Sequence, residues 1–143
     1  MPYEYLEEIG TADIAFEATG RDLAELFRDA ADATTNVMID NIEAIQPRET
    51  RQIELANDKL DMLLFDFLQE VIFLKDAERL LLRMREVEID ERDENYFLKA
   101  TAEGELLDAK RHHQRVDVKA VTLHEFSVER TKGGWTARVL LDI

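Results

Sequence analysis

The C-terminal segment brings two acidic groups together in a pattern that could bind a cation. Residues 135–143 alternate between apolar and mostly polar side chains, which predicts a strand that continues to the end of the sequence. An ordered strand would hold the Asp142 side chain beside the main-chain carboxylate of Ile143, and the two would repel unless positive charge lay between them. That charge is either a divalent cation, for which oxygen ligands favour calcium, magnesium or manganese, or a neighbouring lysine or arginine.

Asp13 is a second acidic candidate, in a segment that predicts an early strand. Residues 11–19 alternate, with Ile14 and Phe16 on an apolar face and Asp13 on the opposite face. Aspartate is disfavoured in strands, and a polar residue that opposes its local preference is a candidate for a functional site. The alternative is an acid exposed on the outer face of the strand.

Lysine and histidine side chains supply the remaining candidates. Lys119 lies in a predicted strand, where it indicates either an exposed face or a cation close to clustered carboxylates. His112 and His113 follow two basic residues in a predicted loop, so they are either solvated or in contact with a phosphate, a partner or a metal. His124 is the third histidine. The sequence contains no GxGxxG, GxxxxGKS/T, HExxH or GxSxG motif.

The composition indicates an intracellular protein with an acidic surface. The net charge is −14 and the sequence has no cysteine, which excludes disulfides, thiolate metal sites and cysteine nucleophiles. Neutralising nucleic-acid phosphates requires lysine and arginine, so unaided binding of nucleic acid is unfavourable. The charge either attracts a basic partner or simply maintains solubility. We expect a cytoplasmic protein without a signal peptide or a membrane span.

The element pattern predicts one α+β domain over residues 1–143, with a mainly antiparallel sheet and two helices packed on one of its faces. Asp22 is predicted to cap the first helix, and Asn57 to cap a second helix that is almost wholly apolar. Period-two segments predict strands over residues 52–56, 79–91, 96–101, 116–130 and 135–143, with irregular segments over residues 40–51 and 104–115.

Short motifs along the whole chain resemble, in order, those of the archease family. They are Gly10-Thr11-Ala12-Asp13-Ile14, Leu23-Ala24-Glu25-Leu26-Phe27 after Gly20, Leu63-Leu64 with Phe67-Leu68, Gly104-Glu105 with Arg111-His112, Lys119-Ala120-Val121-Thr122-Leu123-His124, and the terminal Leu140-Leu141-Asp142-Ile143. Each motif is short, but together, in this order and at this chain length, they are specific. The family's early motif usually reads Asp-His-Thr-Ala-Asp, so Ile9 and Gly10 depart from it where aspartate and histidine are expected.

The resemblance implies an accessory protein that is not itself an enzyme. Archeases assist the RtcB-type RNA-splicing ligase, which joins tRNA exon halves using GTP and manganese, and they promote its guanylylation and multiple turnover. Carried over, the family's metal site implies that Asp13, Asp142 and the main-chain carboxylate of Ile143 bind calcium, manganese or magnesium. The family's lysine motif implies that Lys119 and His124 contact the partner or a phosphate. Contact with tRNA exons would be indirect, through the ligase.

Two other functions stay open at this level. One is a chaperone-like interaction module for nucleic-acid-processing enzymes that acts without metal, and it predicts that Asp13 and Asp142 are dispensable. The other is an independent metal-dependent hydrolase, which is disfavoured because the sequence shows no arrangement of nucleophile and base.

Overall fold

The alternating and helical segments of the sequence fold into two antiparallel sheets and two long helices. The structure is a computed structural model that describes residues 2–6 and 13–143. Its helices are α1 (Leu23–Met38) and α2 (Leu60–Glu78), with a 3-10 turn at Ile42–Ala44. The strands of the described chain are β1 (Tyr3–Tyr5), β2 (Asp13–Gly20), β3 (Glu49–Asn57), β4 (Leu80–Arg92), β5 (Asn95–Leu106), β6 (Ala120–Thr131) and β7 (Gly134–Asp142).

The strands divide between a four-stranded and a three-stranded sheet. The first has the order β1-β2-β7-β6, the second has the order β3-β5-β4, and every neighbouring pair is antiparallel. The predicted α+β fold with antiparallel pairing is therefore confirmed, although two sheets form where one was expected. Each sheet contains one hairpin, β4-β5 or β6-β7, and one strand of that hairpin pairs with a strand from an earlier part of the chain.

The larger of two hydrophobic clusters in the described chain lies between the helices and both sheets, and the smaller one consists of Ile39, Ile42 and Leu81. Helix α1 contacts β2, β4 and β7, and its buried alanines Ala30, Ala31 and Ala33 allow the strands to approach it closely. Helix α2 contacts β3, β4, β5 and β6. The two helices meet through Phe67 and Phe27, whose ring centroids are 5.6 Å apart. Because both helices pack against both sheets, burial of apolar surface holds the two sheets together.

The predicted N-cap residue is confirmed for α1 and wrong for α2. Asp22 caps α1 as predicted, because its side chain accepts a hydrogen bond of 2.8 Å from the main-chain N–H of Glu25. The prediction that Asn57 caps α2 is wrong. Asn57 is the last residue of β3, and Lys59 occupies the N-cap position without a side-chain hydrogen bond. Asn57 instead accepts from the N–H of Lys59 and donates to Asp66, at 3.0 and 3.1 Å.

Two strands are longer than their local patterns predicted. Strand β3 begins at residue 49, within the segment expected to be irregular, and β5 continues to residue 106. Both extensions arise because β3 and β5 pair along their whole lengths, from Glu49 opposite Gly104 to Asn57 opposite Tyr96. Within the segment predicted to be irregular over residues 104–115, regular structure therefore ends at residue 106, and residues 107–119 connect the two sheets without a helix or strand. Neither α1 nor α2, the long helices of the described chain, combines the length and hydropathy that a membrane span requires.

Candidate functional site

Asp13 and Asp142 lie directly opposite each other at one end of the four-stranded sheet. Asp13 begins β2, Asp142 ends β7, and the two are paired in the antiparallel register. Directly opposed residues project their side chains from the same face, with Cβ atoms about 5 Å apart. Asp142 is also paired with Ala120 on its other side, so it occupies the middle strand of a three-strand rung. The structure therefore brings together the two aspartates that the sequence singled out.

Apolar packing on both faces of the sheet fixes the main chain around the acidic pair. Ile14 and Leu141, the next residues along the two strands, are paired and contact the hydrophobic core on the opposite face. On the face of the aspartates, the following pair is Ala15 and Leu140, and both are buried. Ile143 packs against the core as well. The half-buried carboxylates thus border apolar surface, where their mutual repulsion is less screened than in water.

The described chain supplies no positive side chain to offset this repulsion. Within residues 2–6 and 13–143, no lysine, arginine or histidine nitrogen forms an ion pair with Asp13 or Asp142. The same residues contain no group of three or more histidine or acidic side chains arranged to hold a metal. The donor set is therefore two carboxylates, which suits a hard cation that completes its shell with main-chain oxygen and water.

A buried hydroxyl lies on the same face as the acidic pair. Thr122 is paired with Leu140 and is two residues from Ala120, which places it diagonally from Asp142. Among the described residues its Oγ1 has no hydrogen-bond partner although it is buried. An unsatisfied buried hydroxyl is costly unless it contacts water or an ion. The Thr122 hydroxyl is thus a further oxygen on the face that carries Asp13 and Asp142.

Lys119 is joined to the acidic pair through its main chain, and its side chain lies elsewhere. Its N–H donates a hydrogen bond of 2.8 Å to the main-chain carbonyl oxygen of Asp142. The exposed side chain lies along a surface depression beside α2, together with Glu70, Phe73 and Asp76. Lys119 precedes the first residue of β6, so the expectation of a lysine within the strand is wrong by one residue.

His124 lies in an irregularity of β6 rather than at the acidic pair. The register changes between Thr122 and Ser127, where four β6 residues stand opposite one residue of β7. Within this bulge Glu125 has a φ of 54°, and the His124 side chain is 69% exposed. Such a bulge turns side chains out of the regular pleat and towards solvent. The structure therefore presents His124 on the surface, away from the rung of Asp142.

The loop that carries His112 and His113, called the histidine loop below, contains a buried charge cluster that local patterns did not indicate. His112, expected to be solvated or to contact a ligand, is buried, and its Nε2 lies 2.9 Å from Oε2 of buried Glu105. Its Nδ1 accepts a hydrogen bond from the N–H of Asp108, so Nε2 carries the proton and donates to Glu105. Arg111 pairs with Glu105 as well. His113 is exposed to solvent, as one of the two alternatives predicted, and it pairs with Asp40.

The hydrogen bonds around Glu105 outweigh the cost of burying its charge. Burial alone raises the pKa of this carboxyl, but bonds from the Gln46 N–H, His112 and Arg111 lower it to about 2. Glu105 is therefore ionised at neutral pH, and it joins β5 to the chain after Ile45 and to the histidine loop.

Lys75 is a second buried charge that sequence analysis missed. Its Nζ lies 2.5 Å from Oδ1 of Asp117, 2.5 Å from Oδ1 of Asp76 and 3.3 Å from the carbonyl oxygen of Val118. Burial alone lowers the pKa of Lys75, but the bonds to the two aspartates raise it above its ordinary value. The signal was present in its spacing, because Lys75 follows Val71 and Ile72 at helical intervals on the buried face of α2.

Part of the early motif lies outside the described residues. Ile9, Gly10, Thr11 and Ala12 fall between residues 6 and 13, so the departure from the family motif at Ile9 and Gly10, and the predicted start of the strand at residue 11, lie outside the described residues.

Known structures share this arrangement of strands and helices. The solution structure of Methanobacterium thermoautotrophicum protein 1598 superposes with a TM-score of 0.86 at 37% identity, and the match covers 99% of each chain. The crystal structure of an archease from Thermotoga maritima superposes with a TM-score of 0.59 at 19% identity, over 96% of this chain and 97% of that chain. The second similarity is too distant in sequence to show more than the fold.

Sequence comparison extends the similarity over the whole chain. Protein archease of Pyrococcus abyssi is 37% identical over 134 residues, which are 93% of this chain and 94% of that protein. Protein archease of Methanosarcina mazei is 39% identical over 142 residues, which are 99% of this chain and 95% of that protein. The sequence model of the archease protein family matches residues 3–143. The fold, the full-length relatives and this match together establish that the chain belongs to the archease family.

Proposed function

We propose that this protein activates an RtcB-type RNA-splicing ligase during tRNA splicing, promoting its GTP-dependent guanylylation and its multiple turnover. Membership of the archease family supports an accessory role, and the relative from Thermotoga maritima is itself described as a possible chaperone. The observation that carries the proposal is the pairing of Asp13 with Asp142. In this role the protein has no catalytic cycle of its own and acts on the state of its partner.

The acidic pair is proposed to hold a divalent cation, either calcium, manganese or magnesium. Asp13 and Asp142 would supply side-chain oxygens, and the main-chain carboxylate of Ile143 would add a further oxygen. Opposed carboxylates on neighbouring strands destabilise each other, and a cation between them removes that cost. When bound, the cation would present positive charge at the end of the sheet, where a nucleotide phosphate of the partner could approach.

The surface charge supports a basic protein partner. With a net charge of −14, the chain is attracted to the positive surface that an RNA-handling enzyme needs, and this attraction speeds encounter. Contact with tRNA exons is then indirect, through the ligase. Lys119 and His124, both exposed, are proposed to contact the partner or a nucleotide phosphate. Lys119 is joined to the acidic pair by its main-chain bond to Asp142, whereas His124 is presented on the surface by the bulge of β6.

A reconstituted ligation assay tests the proposal. Limiting ligase from the same source would be combined with exon-half RNA, GTP and manganese, with and without this protein. The wild-type protein should convert a single round of ligation into many, and Asp13→Asn or Asp142→Asn should return the ligase to about one round. Glu17→Gln is the matched control, since Glu17 lies on the same face of β2, four residues from Asp13. If Glu17→Gln fails as completely as the aspartate variants, general acidity rather than the paired site explains the effect.

The main-chain carboxylate has a separate test. A short neutral extension after Ile143 replaces the carboxylate with an amide while leaving both aspartates in place. The extended protein should activate the ligase less than wild type, and the deficit should shrink as manganese is raised. Full activation at low manganese would show that Asp13 and Asp142 suffice.

Exposed apolar side chains favour a second candidate, a chaperone-like interaction module that needs no metal. Phe73, Leu106 and Leu123 are large and 58%, 58% and 59% exposed. Apolar surface of this kind serves protein contacts when it is contiguous. This candidate predicts that Phe73→Ser or Leu123→Ser abolishes ligase activation while Asp142→Asn leaves it intact, which is the reverse of the metal-site prediction.

A further inference from the structure

The segment of residues 107–119 crosses from one sheet to the other and ends at the acidic pair. At its start, the N–H of Leu107 donates to the carbonyl oxygen of Arg79 at 2.7 Å. At its end, the N–H of Lys119 donates to the carbonyl oxygen of Asp142 at 2.8 Å. The segment has no helix or strand of its own, so bonds to other elements must hold it in place.

Lys75 provides the bonds nearest to the acidic pair. A lysine ammonium has three donors, and the three acceptors around Nζ are Asp76 on the same helix, the Asp117 side chain and the Val118 carbonyl oxygen. Lys75 is only 9% exposed and Val118 is fully buried. The ammonium therefore fixes both the side chain and the main chain of the two residues that precede Lys119.

The position of Lys119 in turn determines the surroundings of Asp142. Asp142 is the last residue of β7, so one side of its main chain is held by Asp13 and the other by Ala120 and Lys119. Strand ends fray when their terminal bonds are lost. If residues 117–119 moved, the strand-end bond to Asp142 would open, and the Asp142 main chain would lose its support on the side opposite Asp13.

We propose that Lys75 is a positioning residue for the acidic pair: by holding Asp117 and Val118, it keeps the Lys119–Asp142 bond closed and the two aspartates in register. This inference rests on the proposed function for its cation, but its structural part can be measured without one. Groups that position metal ligands without touching the metal commonly change its affinity by about 10–100-fold.

Removal of Lys75 should leave the protein folded. The side chains of Asp76 and Asp117 are 52% and 73% exposed, so they become hydrated when their partner is lost. Lys75→Met keeps an unbranched apolar stem of similar length within the core. No buried charge is left unpaired, which is the usual reason that breaking an ion pair unfolds a protein.

The test compares wild type, Lys75→Met and Asp117→Ala as full-length proteins. Calorimetric titration with manganese chloride measures the affinity of the cation, and amide hydrogen exchange measures the Lys119 N–H. The Leu107 N–H is an internal control at the other end of the same segment. A double variant, Arg83→Met with Asp32→Asn, is the control for loss of another ion pair, since Arg83 on β4 binds Asp32 on α1.

In Lys75→Met we expect manganese affinity to fall by about tenfold, and exchange at Lys119 to speed up by about tenfold with Leu107 unchanged. Asp117→Ala should produce the same pattern to a smaller extent, and the Arg83 double variant should produce neither change. Wild-type exchange at Lys119 in Lys75→Met overturns the inference. If the wild-type protein binds neither manganese nor calcium nor magnesium in the same titration, the proposed cation site fails, and exchange at Lys119 alone then decides the role of Lys75.

Discussion

Replacing Glu105 with glutamine removes the charge at the centre of the buried cluster while preserving its shape. Glu105 accepts hydrogen bonds from the Gln46 N–H and His112, both at 2.9 Å, and pairs with Arg111 and Arg48. The cluster joins β5 to the chain before β3 and to the histidine loop. Glutamine can still accept one or two of these bonds, but it cannot balance the two guanidinium groups. We therefore expect Glu105→Gln to fold with reduced stability.

The magnitude follows from the pKa of Glu105. Burial raises this pKa and the hydrogen bonds lower it, with a net value of about 2 against an ordinary value of 4.5. That difference corresponds to about 3 kcal/mol in favour of the ionised carboxylate in the folded protein. The side chains of Arg48 and Arg111 are 66% and 38% exposed, so solvent screens part of their contribution. We expect Glu105→Gln to lower the free energy of unfolding by about 1–2 kcal/mol at neutral pH.

The pH dependence has a defined sign. Because the folded pKa lies below the unfolded value, the ionised carboxylate contributes its full stability above the unfolded pKa of about 4.5. The contribution is lost as the pH falls from there towards about 2, where the folded carboxyl takes up its proton. The difference between wild type and Glu105→Gln should therefore be constant from pH 7 to pH 5.5 and should decrease below pH 4.5.

Urea unfolding followed by circular dichroism at pH 7, 5.5, 4.5 and 3.5 measures this difference. Glu103→Gln is the matched control, because Glu103 lies two residues earlier on β5 and its contact with Arg85 is 3.9 Å long and partly exposed to solvent. We expect that control to change the free energy of unfolding by less than about 0.5 kcal/mol at any of these pH values. A difference for Glu105→Gln that stays the same down to pH 3.5 would refute the assignment of a buried, ionised Glu105.

Two further predictions concern packing and capping. A Cβ atom at residue 104 would overlap the main-chain carbonyl oxygen of Leu81, so Gly104→Ala should lower the free energy of unfolding by about 3 kcal/mol in urea titrations. Gly133→Ala is its control, since the added carbon meets no atom within 4 Å, and an equal loss there would contradict the steric reasoning. Asp22→Ala removes the acceptor for the Glu25 N–H at the start of α1 and should cost about 1 kcal/mol in the same assay. Asp22→Ser should restore most of that loss, and a serine variant as unstable as alanine would exclude the capping explanation.

Local sequence patterns predicted the elements that depend mainly on residues close together in the chain. The alternation of residues 135–143 corresponds to β7, and the Asp22 cap with its apolar stripe corresponds to α1. These patterns succeed because a strand face and a helix cap depend on residues close in the chain. They also placed Asp13 and Asp142 on strand faces, although not opposite each other. Only the pairing of β2 with β7 brings together residues that are far apart in the sequence.

The elements that were missed depend on distant partners. Strand β3 begins earlier than predicted because β5 pairs with it from residue 104 onwards, and no local alternation marks that start. The bulge of β6 over residues 123–126 is likewise visible only against β7. The division into two sheets also depends on distant residues, because it is decided by which earlier strand pairs with each hairpin. The register between two such strands is set by which face of each strand is buried. A short stretch of sequence does not contain that information.

The buried charges show how a supporting residue could be recognised before a structure is available. Lys75 lies at helical spacing from Val71 and Ile72, and Asp32 lies between Ala31 and Ala33, so both are charged residues on the buried faces of their helices. A charge in such a position must be paired, because burying it alone is prohibitively costly. The helix pattern therefore predicts that Lys75 has an acidic partner from another element, but it does not identify that partner. Asp117 comes from a segment without regular structure. That segment connects α2 to Asp142, through the Lys75–Asp117 bond and the Lys119–Asp142 bond.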